Sequence, residues 1–309
     1  MKAHSIMFHH FHDGNEHVAG QGSITELQFD DVINYIKKSR KILSASEWLS
    51  KAIAGRLADN EVCLSFDDNL KCQYDIALPV LEKHQLTAFW FIYSSPLEGI
   101  LEKVEIYRFF RSSCFDNFDS FFNSFLDCIN RSEYREEVSL CLADFEPASY
   151  LSQFSFYTEN DRKFRYLRDH VLKPEGYNRI MGLMMTERGI DPFDYKERLW
   201  MTREQITRLH KQGHIIGLHS HTHPMAMASL EPAMQRHEYQ KNIDILTSIL
   251  GQSPIVMSHP CNSYNETTLG VLQELNVQVG FRSNMADHFH SQYEFPREDH
   301  INIIKEMGN

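Results

Sequence analysis

Short apolar runs alternate with amphipathic stretches along this chain, and several runs end in acids or histidines. The clearest is Glu61-Val62-Cys63-Leu64-Ser65-Phe66, which stops at Asp67-Asp68-Asn69. A run this apolar predicts a strand buried on both faces, as in a parallel sheet. Helical spacing from Tyr74 to His84 follows, then a second apolar run from Thr87 to Tyr93. Strand, helix, strand is the βαβ pattern. Upstream, Ser5 to Phe8 predicts a strand ending in His9-His10. Leu27, Phe29, Val32, Ile33 and Ile36 then place a helix over Thr25–Lys38, capped by Thr25 or Ser23. A second short helix is expected over Ser46–Ile53.

The alternation resumes late in the chain. A helix is predicted over Thr202–Gln212, closed by Gly213, and a strand over His214–Leu218 runs into His219-Ser220-His221-Thr222-His223-Pro224. Next come a helix over Ser229–Leu250, a strand over Ile255–Met257 leading to Ser258-His259-Pro260-Cys261-Asn262, a helix over Glu266–Leu275 and a strand over Val277–Phe281. Phe295-Pro296-Arg297 begins the last strand. Between Ser95 and Lys196 the pattern is lost: that segment holds 12 of the 21 phenylalanines and only His170 of the 17 histidines. Phe118, Phe121, Phe122 and Phe125 have helical spacing, so the segment reads as a mainly helical insertion with its own small core. Residues 1–309 then form a single barrel domain interrupted at about 95–196. Removing 102 residues leaves 309 − 102 = 207, enough for a small or incomplete barrel of six or seven βα units.

Composition removes several function classes. The net charge is 31 − 42 = −11, which disfavours general nucleic-acid or anionic-membrane binding. No stretch approaches 18 apolar residues, so no membrane span is expected. The N-terminal apolar run is only Ile6-Met7-Phe8, which reads as no leader and a cytoplasmic protein. The six cysteines include no C-x-x-C pair and are expected to be reduced. Phosphate-loop, dinucleotide, nucleophile-elbow and H-E-x-x-H motifs are missing.

Sites in parallel α/β folds form at the C-terminal ends of strands. His9-His10, Asp67-Asp68, His219 to His223 and His259-Pro260 all fall at such ends. Two histidines and one carboxylate make a common catalytic zinc set. His219 and His223, brought together by a tight turn, would supply the histidines, and Asp67 or Asp68 the carboxylate; His221 would point away. The other acid would be free as a base, a nearby dication offsetting repulsion between the pair. The plain alternatives are a solvated histidine turn and a helix-capping Asp pair. His9 could reach the same centre in a closed barrel and act as an acid. His10 and His12 read more simply as loop residues.

These residues resemble the polysaccharide deacetylases of carbohydrate esterase family 4, the NodB type. Ser65-Phe66-Asp67-Asp68-Asn69 is similar to that family's T-F-D-D-G, and His219-Ser220-His221-Thr222-His223, preceded by Gly213-His214-Ile215-Ile216-Gly217, to its H-[ST]-x-x-H. Ser258 to Asn265 resembles its third, proline-centred motif. The resemblance covers roughly residues 1–94 and 197–300. It implies a distorted, seven-stranded (β/α) barrel with a helical insertion. It also implies Asp67 as general base, Asp68, His219 and His223 around one divalent metal ion, expected to be zinc, and the Cys261 backbone N–H as an oxyanion donor. The usual acid lies in an L-x-H motif that this chain lacks. A circularly permuted-like subgroup instead carries [YF]-H after the first strand, which Phe8-His9 matches; His300 is a rival. Asn69 stands where the family has Gly, Cys261-Asn262 where it has an aromatic-Gly pair, and Ser258 where it has Arg; Arg297 could restore that charge. His10, His259, Pro260 and Tyr264 are the candidate substrate contacts. The implied activity is removal of an N-acetyl group from an acetamido sugar or glycan intermediate, with the oligomeric state open. The alternatives are a non-catalytic glycan- or partner-binding relative and a hydrolase of another acyl amide such as formyl.

Overall fold

The computed structural model describes residues 3–151, 157–286 and 291–308. Met1 and Lys2, part of the no-leader reading, lie outside them. The chain divides into two compact units, one of residues 1–102 and 196–309, the other of Lys103–Tyr195.

In the first unit β1 (His4–Phe8), α1 (Glu26–Ile36), β2 (Lys41–Ile42), α2 (Ala45–Ile53), β3 (Glu61–Phe66), α3 (Leu78–Lys83) and β4 (Phe89–Ile92) follow in order. Thr25 caps α1, its hydroxyl accepting from Gln28 N–H while the Gln28 side chain accepts from Thr25 N–H. The two-residue β2 was not legible beforehand. A π-turn over Gln73–Ala77 precedes α3, where a regular helix is expected. The cause is Pro79, which has no N–H for the Asp75 carbonyl; the turn widens and Leu78 N–H reaches the Gln73 carbonyl.

The second unit is helical, with α4 (Lys103–Cys114), α5 (Phe118–Asn130), α6 (Arg135–Ala143), α7 (Glu159–Tyr166) and α8 (Lys173–Glu187). Phe121, Phe122, Phe125 and Phe164 are buried within it, and the Phe125 and Phe164 rings meet edge-on at 5.2 Å. Residues Ser95 to Glu102 group with the barrel, not with this unit: Ser95 N–H donates to the His221 carbonyl at 2.9 Å.

The first unit continues with α9 (Lys196–Leu199), α10 (Arg203–Lys211), β5 (Ile215–Leu218), α11 (Pro232–Leu250), β6 (Val256–Ser258), α12 (Glu266–Glu274), β7 (Val279–Phe281), β8 (Arg297–Asp299) and α13 (His300–Glu306). Helix α11 starts at Pro232 and not at Ser229, because proline suits the first helical position. Seven strands run in the order β7-β6-β5-β4-β3-β1-β8, every pair parallel, with β2 added beside β3. A parallel bridge from Phe281 to Phe295, just before β8, nearly closes the barrel. Trp48, Phe89, Phe91, Val256, Val279 and Phe281 fill one part of its core. No helix among the described residues is long and apolar enough to cross a membrane.

Candidate active site

Parallel strands deliver their C-terminal ends to one rim, and the candidate residues stand there. Asp67, Asp68 and Asn69 leave β3 buried, Asp68 with φ 79° and Asn69 with φ 57°. Both lie in the left-handed region, where Asp and Asn are the side chains best tolerated after glycine; this explains how Asn69 replaces the expected Gly. Leaving β5, Ser220 (φ 64°) and His223 (φ 55°) turn the same way, and the Ser220 hydroxyl accepts from His223 N–H at 3.1 Å. The turn brings the His219 and His223 rings to 4.9 Å.

Asp68 Oδ1 lies 3.3 Å from His219 Nε2 and 3.4 Å from His223 Nε2. One ligand atom from each of the three residues falls within 4.8 Å of the others. His219 Nδ1 faces the Ser258 carbonyl at 2.9 Å. A carbonyl can only accept, so Nδ1 carries a proton, and Nε2, when it is unprotonated, turns its lone pair toward Asp68. Asp68 Oδ1 is buried and makes no hydrogen bond. Lone pairs aimed at one another in a buried space suit a cation, and two His with one carboxylate fit zinc or another ion accepting N and O ligands.

Asp67 is arranged differently. Arg297 Nη1 and Nη2 donate to its two carboxylate oxygens, each at 2.7 Å, and Nη2 also donates to Ser258 Oγ at 2.8 Å. Ser258 Oγ in turn donates to Asp67 Oδ2 at 3.2 Å. Ser258 and Arg297 thus act together on Asp67, the serine standing where the resemblance expected arginine. Burial opposes ionisation of Asp67, and the charges of Arg297, His219 and His9 override it, holding the carboxyl below the usual range. The same contest at Asp68, decided by His219, His223 and His9, ends the same way.

His9 follows β1 with its side chain 30% exposed, Nε2 lying 3.9 Å from Asp67 Oδ2 and 4.0 Å from Asp68 Oδ2. His10 stacks beside it with ring centroids 6.2 Å apart. His300 is elsewhere: buried against Phe8, its ring nitrogens face the carbonyls of Met7 at 3.3 Å and Gly22 at 3.0 Å. His221 also points away, toward Ser94 Oγ at 3.0 Å.

Cys261 has a left-handed backbone (φ 50°), and Asn262 Oδ1 pins its loop by accepting from Ser283 N–H at 2.8 Å. Partial enclosure of the sulfur, then the carboxylates of Asp68, Glu102 and Asp67, push the thiol up to about 12. It stays protonated near neutral pH and is a poor nucleophile. Two of the expected substrate contacts need correction. His259 and Pro260 are buried. His259 Nε2 donates to the Tyr293 carbonyl at 2.9 Å, its ring stacks on Tyr264 at 4.0 Å, and burial pushes its pKa down to about 3. Both residues hold the loop from beneath. Tyr264 is partly exposed, its hydroxyl donating to Glu294 at 3.1 Å.

Several supporting residues escaped the sequence reading. On α11, Asn242 accepts from His219 N–H and donates to the Ile92 carbonyl, both at 3.0 Å. Glu238 accepts from His221 N–H at 3.0 Å and Thr222 N–H at 2.7 Å. The available signal was phase: Gln235, Glu238 and Asn242 are polar residues on the buried stripe of α11.

Residues 184–280 match the family model for polysaccharide deacetylase. The matched stretch, which is similar to that family, runs from α8 to β7 and takes in His219, His223 and His259. Three solved structures share the polysaccharide deacetylase fold with this chain. The Streptococcus pyogenes deacetylase PplD in complex with acetate is 16% identical, with a TM-score of 0.56 over 97% of this chain and 92% of that one. IcaB from Ammonifex degensii is 14% identical, at 0.55 over 96% and 90%. A de-N-acetylase from Aggregatibacter actinomycetemcomitans is 12% identical, at 0.55 over 96% and 93%. At these identities the likeness is one of fold. No curated relative matches the sequence.

Proposed function

We propose that this chain is a polysaccharide deacetylase that hydrolyses the N-acetyl group of an acetamido sugar or glycan intermediate, through a metal-dependent site on one barrel domain interrupted by the helical segment. The observation that carries the reading is the cluster of buried Asp68 and His219 with half-buried His223, beside an Asp67 clamped by Arg297. A divalent ion held by those three residues, zinc by their chemistry, would supply Lewis acidity to the acetyl carbonyl and to water. Asp67, kept ionised by Arg297, takes the proton of the attacking water at a carboxylate oxygen. The backbone N–H of Cys261 donates to the developing oxyanion. His9 passes a proton to the departing sugar nitrogen. His10 and Tyr264 would touch the sugar, a role their partial exposure supports.

Elemental analysis of the purified protein beside an Asp68→Ala, His219→Ala variant tests the reading, followed by an assay for acetate release from acetamido sugars. Close to one transition metal per chain, lost in the variant, with acetate released by the parent, is the expected result. No metal after zinc loading, or metal without release from any acetamido sugar, would overturn it. Release of formate instead would favour a different acyl amide.

A further inference from the structure

Gln73 lies outside every motif, yet its side chain touches two strand ends. It is fully buried in the π-turn before α3, and Nε2 lies 2.7 Å from the His9 carbonyl and 2.6 Å from the Asp67 carbonyl. One amide nitrogen has two hydrogens, enough for both acceptors. The ladder between β1 and β3 ends with Asp67 N–H donating to the Phe8 carbonyl at 3.2 Å. Beyond that bond the two backbones are no longer paired strand to strand, and Gln73 bridges them. The next residue upstream helps, since Phe11 N–H donates to Cys72 Sγ at 3.4 Å and holds the chain after His9 against the same turn. Gln73 Oε1 is buried without a hydrogen bond. Leaving an amide oxygen unpaired is unfavourable, and an apolar residue would fill the space without that penalty. The two donors are what the site keeps.

We propose that Gln73 is a positioning residue, whose carboxamide fixes the distance and aim between His9 and Asp67. This rests on the acid and base roles proposed above. It makes no contact with substrate; it acts through the two backbones. Small misplacement of reacting groups can lower turnover by about 10²-fold.

Two variants of the full chain test it. Gln73→Met keeps length and volume without donors, and Gln73→Glu keeps shape but turns acceptors toward both carbonyls. The expected result for each folded variant is a fall in kcat of about 10- to 100-fold, with KM and zinc content unchanged. A kcat within about twofold of the parent would overturn the proposal. So would loss of zinc in step with kcat, or failure of both variants to fold, since either marks a purely structural role. If the parent releases no acetate, the deacetylase reading fails on its own. The positioning claim is then read from the backbone amide NMR signals of His10 and Asp68, which follow the two carbonyls: shifted signals in Gln73→Met support it and unchanged ones refute it.

Discussion

Asp67 and Asp68 are neighbours in sequence with opposite partners, and their surroundings separate their roles. Asp67 has an arginine on both oxygens; Asp68 has two imidazole nitrogens and no hydrogen bond on Oδ1. Asp67→Asn should lower turnover by about 10²–10⁴-fold while leaving metal content intact, checked by steady-state kinetics beside elemental analysis. The sequence made the pair legible through its place after a buried run. Arg297 as the partner of that base came only from the resemblance, because 230 positions separate it from Asp67 and no local pattern joins them. Replacing Arg297 by Met leaves a buried carboxylate uncompensated and should destabilise by about 3–5 kcal/mol in urea titrations. Adding Asp67→Asn to that variant should recover much of the loss. His214 offers a pH test away from the metal cluster. Burial pushes its pKa down to about 4, and Nδ1 must stay unprotonated to accept from Ala88 N–H at 3.0 Å. The unfolded chain protonates first as pH falls, so the stability is present above about 6.5 and is lost between there and about 4, by up to about 3 kcal/mol. His214→Asn keeps an acceptor without the titration, and its stability should vary less over that window.

Elements were the most legible level, since period and caps are local properties. Glu61–Phe66 read directly and the α1 cap was narrowed to Thr25 or Ser23, of which Thr25 serves; the π-turn did not read, because its cause, Pro79, lies beyond it in the helix it precedes. Close packing between strands was also invisible in the sequence. A side chain added at Gly280 would meet the Tyr293 backbone oxygen at 2.5 Å, and one at Gly217 would meet the Phe91 ring at 2.6 Å. Rings can turn and backbone yields less, so Gly280→Ala should destabilise more than Gly217→Ala. Overpacking of this kind typically costs about 1–3 kcal/mol, readable as the difference in urea midpoints at constant slope.

At the scale of the whole molecule, alternation of strand and helix pointed to a parallel barrel, and seven strands do run in one path. The bridge at Phe281 and Phe295 joins segments close in sequence, but β8 reaches it only by pairing with β1 across 292 positions from Ser5 to Arg297, which no local pattern encodes. The metal reading also has a global consequence. An ion bound only by the folded state should stabilise it by about 2.7 kcal/mol at a hundred times its Kd. Zinc should therefore raise the Tm of the parent, EDTA should reverse the rise, and Asp68→Ala should abolish it.

The order of the strands also sets a timetable. β1 lies between β3 and β8, so among the described residues the first strand pairs with the last. The arginine that neutralises Asp67 is made 230 residues after it. During synthesis that carboxylate can be hydrated but not buried, because burial without its counter-charge is strongly disfavoured. The rim around β3 therefore closes only when β8 docks, and a growing chain passes most of its assembly as an open, inert scaffold.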